Sequence, residues 1–148
     1  MALAADNASD RAEQMITLSD RLTGLLQRET KLFEQRTPQL ASEFADEKGS
    51  LARIYRNETA RIAKNPALLA SADANLKADL REATLRFNQA LAANHKATTA
   101  IRTITQGMVH SVANEVAKTR ASQTGYGVTG TNTASNTAMS AITLDQRV

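Results

Sequence analysis

The chain has 148 residues, of which 42% are hydrophobic, 22% charged and only 3% aromatic, with a formal net charge of +3 and no cysteine. Disulfides and thiolate chemistry are therefore excluded, and the charge is too weak to argue for nucleic acid by itself. No stretch approaches the ~18 apolar residues that a membrane helix needs, so no membrane insertion is expected.

The N-terminus, Met1-Ala2-Leu3-Ala4-Ala5-Asp6, lacks a basic start and a long apolar run. It does not read as a secretory signal, and the expected location is the cytoplasm. A first helix is expected from Ser9 or Asp10, where Asp10 and Glu13 have the spacing of a capping box. Met15, Leu18, Leu22, Leu25, Leu26, Leu32 and Phe33 then recur in steps of three and four, which gives one apolar face. Thr37-Pro38 marks a tight turn, since Thr is a good N-cap and Pro is tolerated at a first helical position. A second helix follows, with Leu40, Phe44, Leu51, Ile54, Tyr55 and Ile62 on its apolar face.

Asn65-Pro66 ends that helix, because the residue before Pro disfavours the α region. The Leu68-Leu69 pair in the connection is placed to cover the end of a bundle. A third helix, the longest, is expected from Ser71 or Asp73. Leu76, Leu80, Ala83, Phe87 and Leu91 form its first seam, and Ile101, Ile104, Met108, Val109, Val112 and Val116 continue it. Asn94, His95, Thr98 and Thr99 interrupt the seam. Asp73 with Lys77 and Glu82 with Arg86 are spaced as i,i+4 pairs. The fold class predicted is all-α: an antiparallel bundle of three long helices over residues 1–118, with a flexible tail over 119–148. Half of the tail's thirty residues are Thr, Ser, Asn or Gly. Tyr126 and Ala141-Ile142-Thr143-Leu144 are its apolar islands.

The residues carry little chemistry. His95 and His110 are not at metal spacing, and without Cys no zinc site is completed, so neither metal nor cofactor is expected. Gly125-Tyr126-Gly127-Val128-Thr129-Gly130 follows the last helix and cannot deliver a phosphate to a helix N-terminus. No nucleophile–base pair is suggested by spacing, and no enzymatic activity is expected. From Ala93 to Arg120 the only acid is Glu115, against Lys96, Arg102, Lys118 and Arg120. A solvated face accounts for these charges, and with no aromatics to stack on bases no nucleic-acid partner is expected.

A length mismatch is more informative. The first two helices span about 26 residues each, or about 40 Å, and the third about 46 residues, or about 70 Å. If the third helix is straight, Ile101 to Val116 lie uncovered within an arc of roughly 140°, a surface suited to capturing another helix. If it breaks near Asn94–Thr99 and folds back, the same residues are core. A homodimer would also bury them.

Several short motifs, in order along the chain, resemble the FlgN-type flagellar export chaperones for hook–filament junction proteins. They are Glu29-Thr30-Lys31-Leu32, Asp46-Glu47-Lys48-Gly49-Ser50-Leu51, Arg86-Phe87-Asn88 with Leu91, Tyr126-Gly127-Val128-Thr129-Gly130 and Ile142-Thr143-Leu144-Asp145. The resemblance covers most of the chain. It implies a small cytoplasmic helical chaperone. Such a protein binds the C-terminal regions of hook-associated subunits and escorts them to the flagellar type III export gate. It places client binding on Ile101, Ile104, Met108, Val109, Val112 and Val116, and docking at the export apparatus on Tyr126. Thr129 departs from the family pattern, which has an acidic or amide residue at that place. Two alternatives stand beside this reading. Tyr126 can fold back to cap the bundle, and the third helix can serve a coiled-coil structural or regulatory protein of flagellar assembly that self-associates.

Overall fold

The structure is a computed structural model and describes residues 3–124. Its elements are α1 (Ala8–Glu34), a 3-10 helix (Pro38–Phe44), α2 (Ala45–Lys64), α3 (Ala67–Ala70) and α4 (Ala74–Thr124). The described residues are all-α, with no strand among them. The chain divides into two compact units, Met1–Val109 and His110–Val148.

Helix α1 starts earlier than the Asp10–Glu13 spacing predicts. Asn7 is the N-cap, and its side chain accepts a hydrogen bond from the Asp10 amide at 2.9 Å. A cap of this kind is worth about 1 kcal/mol. The Asp10 carboxylate accepts instead from the Asp6 amide and the Gln14 side chain, which hold its pKa below the ordinary carboxylate value. The helix ends in a Schellman turn, as Thr37 N–H bonds Leu32 O and Arg36 N–H bonds Phe33 O. Arg36 adopts the left-handed conformation this turn requires, at φ 60°.

Pro38 opens a 3-10 helix and not the second α-helix. At three residues per turn, Ala41 and Phe44 share the side that is buried, and Leu40 is turned outward. That is why Leu40 leaves the apolar face on which α-helical spacing puts it. Phe44 packs with Leu25 and Ala41, and the Arg28 guanidinium lies over its ring at 4.8 Å.

In the first unit, α1, α2 and α4 share one core. Met15, Leu18, Leu22 and Leu26 of α1 meet Phe87 and Ala90 of α4, with Leu51, Ile54, Tyr55 and Ile62 of α2 packed against them. The Tyr55 and Phe87 rings are 4.7 Å apart. Polar pairs fix the directions. Arg11 meets Glu58 and Arg21 meets Glu47, so α1 and α2 run antiparallel. Ser9 meets Asp73, Asp20 meets Arg86 and Glu29 meets Asn94, at separations of 64, 66 and 65 residues. That near-constant offset makes α1 and α4 parallel and in register. The half-buried Leu68 and Leu69 of α3 lie in the α2–α4 connection. Asp73 caps α4 by accepting from the Asn75 amide at 2.7 Å. The Lys77 ammonium donates to the Ala70 carbonyl at 2.6 Å and not to the Asp73 carboxylate.

Candidate protein-binding surface

Helix α4 does not break at Asn94–Thr99. It is helical from Ala74 to Thr124, which answers the question left open by the polar interruption. Asn94 is not a weak point but a buried tie. Its amide donates to the Glu29 carboxylate at 2.8 Å, and Glu29 is also paired with Lys48. One carboxylate thus joins all three long helices near the C-terminal end of α1. A second tie lies toward the opposite end. Glu58, 1% exposed, accepts from Arg11 at 2.6 Å and from the Leu3 amide at 3.0 Å, and Arg61 stands 3.6 Å away. Among the described residues no buried side-chain polar atom lacks a partner. These ties hold α4 in place as far as α1 reaches. With an offset of about 65, the last residue of α1, Glu34, lies level with about residue 99 of α4.

The side chains expected to bind a client follow directly. Ile101 and Ile104 are half-buried, while Met108 is 60% exposed and Val109 55%. All four belong to the first unit. In the second unit, Val112 and Val116 are 63% and 46% exposed. Every residue from Thr105 to Gln123 is exposed. Among the described residues, four of the seven large exposed hydrophobic side chains lie between Met108 and Val116.

The threonines of this part of α4 bond back to their own helix. Thr98, Thr99, Thr103, Thr105 and Thr119 each donate their hydroxyl to the carbonyl four residues back, at 2.8–3.0 Å. His95 and His110 are both exposed. Among the described residues no group of three or more His, Asp or Glu is arranged to hold a metal ion. No helix among them is long and apolar enough to cross a membrane. Tyr126 and the Ile142-Thr143-Leu144 island lie outside the described residues.

Sequence reasoning missed Glu29, Glu58 and Asn94 as structural residues. A signal was present. Each follows a core residue by seven positions: Leu22 for Glu29, Leu51 for Glu58 and Phe87 for Asn94.

A protein of Caulobacter vibrioides, described as flagellar basal-body protein FlbY, is 40% identical to this chain over 131 residues, covering 88% of each. No family model matches the chain, and no solved structure matches it.

Proposed function

The chain belongs to the family of the flagellar basal-body protein FlbY, and on that premise we propose that it is a cytoplasmic, non-enzymatic holder of flagellar subunits. The proposed clients are the C-terminal regions of hook-associated proteins, held for delivery to the type III export gate, as in the FlgN-type chaperones. The client contact is made by Ile101, Ile104, Met108, Val109, Val112 and Val116 of α4, and docking at the export apparatus by Tyr126. The observation that carries this reading is the run of exposed apolar side chains from Met108 to Val116. Apolar surface left open in this way is the mark of an interaction site. A helix laid against it buries side chains worth about 1.5–3 kcal/mol each when fully covered.

A variant carrying Met108→Asp and Val112→Asp tests the assignment. Both positions are well exposed, so helicity and melting temperature are expected to stay within the range of surface changes, about 0.5 kcal/mol. Client capture is expected to fall at least about a hundredfold, since two apolar contacts of that size are replaced by desolvated charges. Retained client binding by the folded variant would remove these residues from the contact.

The relative's description as a basal-body protein favours one second reading, a structural component that self-associates through α4. Light scattering separates the two. A holder gives a one-to-one complex with its client, whereas a structural component oligomerises alone, and Met108→Asp with Val112→Asp dissolves the oligomer.

A further inference from the structure

The first unit carries opposite charges on opposite sides. The outward face of α2 presents Arg53, Arg56, Arg61 and Lys64, all exposed. The nearest acid on the same helix, Glu58, is turned inward and held by Arg11. Among the described residues Arg53, Arg56 and Lys64 have no ion-pair partner. On the other side, α1 and α4 leave a groove of about 500 Å³. The half-buried Ile16 and Leu76 line it, and Glu13, Asp79 and Glu82 stand along it, all three exposed. Arg86 also reaches the groove but is matched by Asp20 at 3.0 Å and Glu82 at 4.0 Å. Because α1 and α4 each pack on α2, their outer groove faces away from it.

We propose that this groove receives the basic face of α2 from a second copy of the chain. Shape and charge agree. Arg53 to Lys64 spans about 16 Å of helix, and the groove, from Leu76 to Arg86, spans about 15 Å. A convex helix edge with four cations meets a concave channel with an apolar floor and acidic rims. The alternative of a lipid surface lacks the apolar side chains that would enter it, since the residues between the cations on that face are Asn57 and Ala60. The contact is heterologous: each copy offers its α2 to one neighbour and its groove to another. Such contacts propagate into a ring or an open filament. None of the side chains assigned above to client binding takes part.

Sedimentation of the full chain over a concentration series, at about 50 mM and about 500 mM salt, tests this. Assembly is expected at low salt, and its apparent association constant is expected to drop at least about tenfold at high salt, where exposed charges are screened. Two variants, Arg53→Glu with Arg56→Glu and Asp79→Lys with Glu82→Lys, are each expected to be helical and monomeric alone. Mixed one to one they are expected to associate again, because each reversed face then finds a reversed groove and each native face a native groove. A wild-type chain that stays monomeric at low salt overturns the proposal. So does assembly untouched by either variant, or a mixture of two folded variants that does not reassociate. Binding of a polyglutamate peptide without self-association would assign the α2 face to an acidic foreign partner and would equally overturn it.

Discussion

Replacing Glu58 by alanine is expected to destabilise the first unit by about 3–5 kcal/mol. Glu58 and Arg11 are both buried, and the carboxylate is the ion-pair partner of the guanidinium. Removing it leaves a cation with no counter-charge and no water, and that penalty exceeds whatever the pair contributed when intact. The N-terminal segment is released at the same time, because the Leu3 amide donates to the same carboxylate and Leu3 packs on the core. Chemical denaturation followed by circular dichroism measures the loss. A double variant, Arg11→Met with Glu58→Leu, is expected to recover most of it, since a well-packed apolar pair is often as stable as a buried ion pair. Equal destabilisation by the single and the double change would mean that packing, and not the stranded charge, sets the cost.

Phe87→Ala is expected to cost a similar amount, about 3–5 kcal/mol, by a different route. The ring is buried where α1, α2 and α4 meet, in contact with the Met15–Leu26 face and tilted at 48° against Tyr55. Truncation opens a cavity that three helices would have to move to close, and it removes a ring pair worth about 0.5–1.5 kcal/mol. For a unit of this size the melting temperature should fall by roughly 4–8 °C per kcal/mol. Phe87→Leu keeps more of the volume and should cost clearly less. A loss below about 1 kcal/mol for Phe87→Ala would show that the three-helix junction does not carry the stability of the unit.

Comparison of the two positions explains what the sequence discloses and what it hides. The apolar face of α1 is legible because an α-helix repeats every 3.6 residues: Met15, Leu18, Leu22, Leu25 and Leu26 are all buried as the spacing predicts. Phe87 is legible for the same reason. Glu58 and Asn94 are not, because a polar side chain is buried only when its partner is in place, and those partners lie 47 and 65 residues away. No local window contains that information. Seven-residue spacing puts both on the core faces, but hydrophobicity counts them as interruptions. Leu40 fails in the opposite sense, since the 3-10 geometry after Pro38 changes the period on which its assignment rests. Leu91 also sits at a seam position yet is exposed. The exposure of the residues just past the end of α1 was more readable. Exposure at Met108 and Val109 follows from helix lengths, since both lie past the level that the last residue of α1 reaches.

The exposure of α4 from Thr105 to Gln123 has a thermodynamic consequence for any partner. These side chains are exposed, and Thr105 and Thr119 bond back to carbonyls of their own helix. The stretch holds Gly107 and the β-branched Val109, Val112 and Val116, all weak helix formers. Its amides are therefore expected to open to hydrogen exchange at a lower free energy than those around Phe87, which sits in the core. A ligand that seizes this stretch must first fix it, and the entropy of fixing is subtracted from the affinity. Any partner that binds here would be held more weakly by that amount than one that meets a helix already fixed by the core.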